Sequence, residues 1–354
     1  MLMQRQLLLY CIVILNGFWA RSQHEHITFT ADSITIKSYP YLKNIDVYKG
    51  IFLPNQIANQ PKIVGQIKTK EEEIIFIPIV PFTKGEDYTI VYDNTAAHFN
   101  INIGNDYTYL TVENIFPSDK EVPANILKWY IQFSTPINEA NVYNHIHFIG
   151  KDGDTIPRAV LPIENALLSD DKKMLTVWIE PGRQKRNLGP NLELGTVFKP
   201  NMEYILKVSK HLRDLNGVRM KHDFEKNFLV IDKDRIRPNT KKWNTLIPKK
   251  NTRSDLIISC NESLDYGSLS DNITVLDNEN SAIKGSWLLT ENERKIIFTP
   301  YKAWKNTVYT IRFSSVIEDL AGNNLHRLFD EEIKTNDVKN NTYPLYQTIE
   351  FEVD

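Results

Sequence analysis

The chain has 354 residues, more than one ordinary domain of about 100–200 residues uses, so two or three domains are expected. Hydrophobic residues at 42% and charged residues at 24% describe a globular chain and exclude wholesale disorder or a fibrous repeat. The formal net charge of -2 lacks the basic excess that marks nucleic-acid binding.

The first 23 residues stand apart. A short basic region (Arg5) precedes Leu7-Leu8-Leu9-Tyr10-Cys11-Ile12-Val13-Ile14-Leu15, and Ala20, Arg21, Ser22 and Gln23 follow. This is the layout of a secretory signal peptide at residues 1–23, with Ala20 and Gln23 both suited as the last residue removed. The apolar run is shorter than the roughly 20 residues that span a membrane, so no membrane span is expected after cleavage. An uncleaved N-terminal anchor is the competing reading. Cleavage takes away Arg5 and Arg21 and no acid, and leaves Cys260 as the single cysteine. One thiol forms no internal disulfide and no multi-cysteine metal site. Within Leu256-Ile257-Ile258-Ser259-Cys260 it reads as a small buried hydrophobe.

Three segments then repeat one grammar. The first runs Ile74-Ile75-Phe76-Ile77-Pro78, Pro81-Phe82, then Tyr88-Thr89-Ile90-Val91-Tyr92. The second runs Leu175-Thr176-Val177-Trp178-Ile179-Glu180-Pro181, Pro200, then Tyr204-Ile205-Leu206-Lys207-Val208. The third runs Ile296-Ile297-Phe298-Thr299-Pro300, Ala303-Trp304, then Tyr309-Thr310-Ile311-Arg312-Phe313. Each is a β-rich run closed by a proline, which cannot donate to a central ladder, then a turn, then an alternating strand. Tyr88, Tyr204 and Tyr309 recur at roughly 105–115 residues, about one immunoglobulin-like domain, and suit tyrosine corners. The two later copies add turns at Asp214-Leu215-Asn216-Gly217 and Asp319-Leu320-Ala321-Gly322-Asn323. Asp accepts neighbouring backbone N–H groups there, and Gly supplies a positive φ.

The pattern predicts an all-β chain of tandem immunoglobulin-like β-sandwiches. The first covers residues 24–106, and the second covers 107–232 with an inserted loop at 183–199. A proline-containing, charged linker covers 233–253, with Trp243 packing on a neighbouring domain. The third sandwich covers 254–337. Residues 338–354 form a tail or one more strand, since Ile349-Glu350-Phe351-Glu352-Val353 alternates.

At these residues the chain resembles the bacterial immunoglobulin-like domains of the surface-layer SbsA type. The third copy carries the resemblance through Phe298-Thr299-Pro300, Trp304, Tyr309-Thr310-Ile311 and Glu318-Asp319-Leu320-Ala321-Gly322-Asn323. The second carries it through Phe133-Ser134-Thr135-Pro136-Ile137-Asn138, Tyr204 and Asp214 to Gly217, and departs from it at the insertion. The resemblance implies an antiparallel sandwich outside the cytoplasm (periplasmic, cell-surface or secreted) that serves as spacer, adhesion unit or accessory domain. It implies no chemistry, because fold does not fix function.

No nucleophile elbow, P-loop, HExxH or dinucleotide fingerprint is present, and no catalytic residue, metal or cofactor is assigned. His145 and His147 share a strand face without an identifiable third ligand. Asp152-Gly153-Asp154 and Asp277-Asn278-Glu279-Asn280 read as hairpin turns rather than calcium loops. The insertion is the candidate contact segment. Arg183, Lys185 and Arg186 precede an apolar, Gly-rich stretch, and long loops on rigid sandwiches often carry binding. It either meets a protein or glycan partner at the cell envelope or packs over a seam between domains. The expected function is a non-catalytic structural, adhesion or interaction module. A carbohydrate-binding accessory protein is the alternative, which requires an exposed aromatic platform from among Trp129, Trp178, Trp287 and Trp304. A secreted hydrolase would require convergent acids in a cleft.

Overall fold

The computed structural model describes residues 26–37, 45–70, 72–92, 95–104, 108–161, 163–185, 188–269, 271–330 and 344–354. The expected signal segment and Arg186 lie outside them. The chain divides into two compact units, one built on Met1–Thr108 and one on Tyr109–Leu215 with Arg219–Asp354.

In the first unit, β1 (Ile27–Phe29), β2 (Ile34–Lys37), β4 (Gly65–Lys70) and β5 (Glu73–Pro78) form one sheet in the order β1-β2-β5-β4. Strands β3 (Ile45–Lys49), β6 (Asp87–Tyr92) and β7 (Thr95–Asn100) form the other. Alternate residues of β2 and β5 are buried, as a sheet with one wet face demands. Ile34, Ile36, Val47, Phe76, Tyr88, Ile90 and Phe99 make a core of their own.

The second unit holds two further sandwiches. The middle one pairs β8 (Val112–Phe116), β10 (Lys128–Phe133), β12 (Leu167–Leu168) and β13 (Met174–Trp178) in the order β12-β13-β10-β8. Facing it are β9 (Glu121–Pro123), β11 (Ile146–Ile149), β14 (Met202–Val208) and β15 (Phe224–Ile231) in the order β11-β14-β15-β9, with β9 parallel to β15. The last sandwich repeats the plan. Strands β16 (Asn244–Leu246), β17 (Leu256–Ser259), β19 (Gly285–Thr290) and β20 (Lys295–Pro300) lie in the order β16-β17-β20-β19, facing β18 (Ile273–Leu276), β21 (Thr307–Ser314) and β22 (Tyr346–Val353). Among the described residues helix is confined to short turns, including α1 (Pro181–Gln184), α2 (Gly189–Leu194) and α3 (Tyr266–Leu269).

Written in the letters of the immunoglobulin sandwich, every copy has sheets A-B-E-D and C-F-G, the middle one adding β9 beside strand G. The correspondence extends to single contacts. Gly65 and Gly285 each open strand D, where a Cβ would lie 2.4 Å from Phe76 or 2.5 Å from Phe298, the aromatic of strand E. The missing side chain is what lets that ring fill the core.

Two boundaries differ from the sequence reading. Residues 240–246, expected within the 233–253 linker, belong to the third sandwich. Trp243 is buried in its core with its ring 5.1 Å from Phe313, edge to face, and β16 pairs with β17. Burying an indole outweighs the polar, proline-containing composition around it. The C-terminal stretch is the extra strand rather than a tail: β22 pairs with β21 over eight residues, and Phe351 stacks 5.5 Å from Tyr309. The third sandwich therefore runs past the expected limit of 337.

The three tyrosines sit at the start of strand F with buried rings. Their phenolic oxygens accept backbone N–H groups just upstream: Thr83 at 2.7 Å for Tyr88, Lys199 at 3.0 Å for Tyr204 and Lys305 at 2.9 Å for Tyr309. Each bond pins the E–F corner to the core. Tyr309→Phe is expected to destabilise the second unit by about 0.5–1.5 kcal/mol in urea unfolding, the net value of one hydrogen bond.

Candidate functional site

The second unit is held together by a polar seam between its two sandwiches. Lys128 on β10 places its ammonium 2.7 Å from Glu318 and 3.4 Å from Asp265, with only 12% of its side chain exposed. Tyr130, two residues on along the same strand, donates its hydroxyl to Asp265 at 2.9 Å. Burial works against the Lys128 ammonium, but the Asp265 and Glu318 carboxylates outweigh it and hold the pKa above the usual lysine value. Tyr130 itself fills the space a side chain on Gly267 would need, its Oη lying 2.5 Å from that missing Cβ. The backbone joins in where Leu127 N–H donates to the Leu320 carbonyl at 3.0 Å.

The turn between β19 and β20 completes the seam. Glu291, Asn292 and Glu293 all take positive φ, of 51°, 56° and 59°, an unfavourable run for residues with side chains. That backbone delivers the Glu293 carboxylate to Ser118, which donates its N–H at 2.8 Å and its hydroxyl at 2.7 Å. Arg294 adds an ion pair to Asp119 at 3.2 Å.

Beside this seam lies an open groove of about 680 Å³. Phe116 and Tyr266, stacked on each other at 3.9 Å and 12°, form part of its wall. Trp287 and Leu288, on the sheet-edge strand β19, remain 39% and 59% exposed, and Trp287 rests one side on Phe298 at 4.5 Å. Asn114 donates to Gln132 Oε1 at 2.8 Å, which leaves Asn114 Oδ1 and Gln132 Nε2 to bond a ligand. Apolar and aromatic walls with a few placed amides are the usual make-up of a binding groove.

The insertion is arranged differently from an exposed basic loop. Arg183 is 3% exposed, and its guanidinium donates to the carbonyls of Pro157, Gly195 and Thr196 at 2.6, 2.9 and 3.0 Å and of Leu194 at 3.2 Å. It is the knot that ties α1, α2 and the 157 loop together, so it is not presented to a partner. Lys185 lies over the Phe329 ring at 4.4 Å, reaching the third sandwich. Lys185 thus reaches across to the third sandwich, whereas every Arg183 bond stays within the middle one.

The turn residues take local roles. Asp319 accepts N–H bonds from Ala321 and Asn323 at 2.8 and 2.9 Å, and Asn323 Nδ2 donates to its second oxygen at 2.8 Å. Gly217 and Gly322 have φ of +80° and +76°, and Asp214 is buried beside Ile137. Of the tryptophans, Trp129 and Trp304 are core residues, and Trp178 faces Lys128 at 4.9 Å. Cys260 is free and buried, and burial pushes its thiol well above the usual range.

One cluster had no sequence signal. Among the described residues, Asp234, Glu262 and Asp319 form a group whose carboxylate oxygens lie within 4.8 Å of one another. The paired histidines and the turn acids at 152, 154 and 277 take no part in it. The three come from distant stretches of chain, and only the fold gathers them.

Two-sheet sandwiches of order A-B-E-D and C-F-G with a tyrosine at the E–F corner define the immunoglobulin-like class. Residues 246–334, within the third sandwich, match the bacterial Ig-like domain family. This match does not single out the SbsA type. No curated protein matches the sequence. Among solved structures the chain is similar to Escherichia coli alpha-2-macroglobulin domains MG0-NIE-MG1, at 13% identity over 69% of this chain and 71% of that one, with a TM-score of 0.23. It is similar to the N-terminal part of the bacterial S-layer protein SbsC at 12% identity, over 70% and 44% of the two chains, TM-score 0.24. For the chicken CNTN1 FN1–FN3 domains the values are 12%, 92% and 96%, TM-score 0.20. At these TM-scores none of the three carries an argument about function. No helix among the described residues is long and apolar enough to cross a membrane.

Two substitutions test the seam and the insertion. Lys128→Met strands the Asp265 carboxylate and is expected to cost about 3 kcal/mol in chemical unfolding, with Lys128→Met/Asp265→Asn recovering part of it. Arg183→Ala leaves four carbonyls without their donor and is expected to cost a similar ~3 kcal/mol, read as a lowered melting temperature of the second unit.

Proposed function

We propose that this chain is a non-catalytic interaction module working outside the cytoplasm, with the groove beside the seam as its contact surface. The observation that carries the reading is the groove itself. Trp287 and Leu288 stand exposed on a strand edge next to the stacked Phe116 and Tyr266, and together they give the groove an open apolar and aromatic lining. The bacterial Ig-like match in the third sandwich supports a structural or adhesion role at the cell envelope. The finer likeness to the surface-layer SbsA type rests on Phe298-Thr299-Pro300 and the Asp319-to-Asn323 turn. Residues 1–23, read as a secretory leader, supply the route of export.

The lining favours carbohydrate within that class. Flat aromatic faces suit the C–H faces of sugar rings, and the free ends of the Asn114 and Gln132 amides suit hydroxyl groups. Hydrolysis is disfavoured even though three acids converge elsewhere. Asp234, Glu262 and Asp319 sit closer together than a glycosidase pair, and the cavity at Asp234 has only about 60 Å³, too little for a sugar ring.

A glycan array and cell-envelope pull-down with the purified chain, run beside Trp287→Ala, checks the reading. Binding by the parent chain that falls at least about tenfold in the variant is expected, the loss of roughly 1.4 kcal/mol of contact. Equal binding by both forms, or none by either at high concentration, overturns the groove as the contact surface.

A further inference from the structure

Lys128, Asp265 and Glu318 hold more than an ion pair requires. The two carboxylates meet the lysine in different ways. Glu318 makes the short contact, 2.7 Å from Nζ, and its side chain stays 25% exposed. The Asp265 side chain is only 4% exposed, and donors converge on its carboxyl group. Tyr130 Oη donates to both of its oxygens, at 2.9 and 3.1 Å, and the Ser268 N–H donates to Oδ1 at 2.8 Å. Lys128 Nζ lies 3.4 Å from that same Oδ1. The carboxyl carbon, Cγ, is one bond away from the atom that Nζ already approaches.

These are the parts of an acyl transfer: an amine, a carboxyl carbon, a proton acceptor beside the amine and donors aimed at the carboxyl oxygens. Burial disfavours charge on all three groups. It pushes Asp265 and Glu318 above the usual carboxylate range, and it works against the Lys128 ammonium, which the two carboxylates sustain together. Once Asp265 carries a proton, one of those two supports is gone, and Glu318 stands ready to take the proton from Nζ. Two groups held in contact react as if at about 10⁵–10⁸ M, which favours a condensation that bulk water opposes.

We propose that Lys128 Nζ and Asp265 Cγ join in an intramolecular amide bond, with Glu318 as the proton carrier, so that the middle and third sandwiches become covalently linked. Asp265 starts protonated, and Glu318 takes a proton from the Lys128 ammonium. The amine lone pair forms the Nζ–Cγ bond, and the carbonyl π pair moves onto an oxygen held by Tyr130 and the Ser268 N–H. That pair returns as the C–OH bond breaks. Glu318 gives its proton to the departing hydroxyl, takes the surplus one from nitrogen, and releases it to solvent. Overall, one ammonium and one carboxylate give one amide and one water, with no oxidant or co-reactant. An open pocket of about 380 Å³ beside Lys128 and Glu318 lets the water leave. The bond joins residues 137 positions apart in the chain. The ion pair assembles the joint, and the amide then fixes it. Nothing in the reaction involves the groove, so its test is independent of what the groove binds.

The test is intact-protein mass spectrometry on the purified whole chain under denaturing conditions. Two variants run beside it. Lys128→Arg keeps the positive charge without a nucleophilic amine, and Glu318→Gln removes the proton carrier. The parent is expected to be lighter than its sequence by the mass of one water, and its protease digest to contain one branched peptide joining Lys128 to Asp265. Lys128→Arg is expected at full mass. Glu318→Gln is expected to form the bond about a hundredfold more slowly, in keeping with the loss of proton-transfer catalysis. Cooperative melting of both variants shows that full mass reports lost chemistry rather than lost structure. A parent at full mass after prolonged incubation at neutral pH, a missing water in Lys128→Arg as well, or a branch that maps to Glu318 instead of Asp265 overturns the proposal.

Discussion

The arrangement of the second unit depends on one buried ammonium. Lys128 is taken out of water on β10, and its compensation is a pair of carboxylates from the third sandwich, Asp265 and Glu318, with the Trp178 ring beside it. A buried charge tolerates little displacement of its partners, because attraction and hydrogen bonding fall off faster than the desolvation cost is recovered. The Lys128 contact therefore fixes where the 265 and 318 segments sit against β10. Tyr130 then reaches Asp265 over the bare backbone of Gly267, and Tyr266 is set against Phe116. The groove wall is thus a consequence of the seam. Each sandwich has its own hydrophobic cluster, and apart from Leu320, which joins the middle one from the third sandwich, the seam is freed from supplying core and can be polar.

Repetition made the fold legible. A β-rich run closed by a proline and a corner tyrosine are local signals, and each copy must satisfy the same packing problem with them. The strands at the edges of that plan were less visible. Asn244–Leu246 is three residues long in a charged setting, and only the burial of Trp243 shows that it belongs to the third core. The candidate site was hardly legible. Arg183 looks like part of a surface triad, yet its partners are main-chain carbonyls at 157 and 194–196, which no side-chain pattern announces. Gly267 reads as an ordinary turn glycine, and nothing nearby reveals that Tyr130 occupies its place.

The same argument explains why sequence found turns where the structure has clusters. Asp319 was legible as a turn former, and it is one: two main-chain N–H groups and the Asn323 amide satisfy its carboxylate locally. Its place in a carboxylate cluster arises only when Asp234 and Glu262 come in from elsewhere. A residue whose local bonds are complete gives no hint that long-range neighbours will also meet it.

Division of labour follows from these energetics. Aromatic cores and tyrosine corners make each sandwich stable by itself, so they say little about what the protein contacts. The informative residues are those the cores do not need: Trp287 and Leu288 on a strand edge, the orphaned Gln184 carbonyl, and the Glu293 turn, bent through three positive φ values to reach Ser118. Exposed apolar surface, an unpaired buried acceptor and backbone strain each cost stability, and each survives only where the structure or a partner offsets it. For the turn, the offset is visible in the Ser118 bonds. For the exposed Trp287 and Leu288 the offset proposed above is a partner seated in the groove.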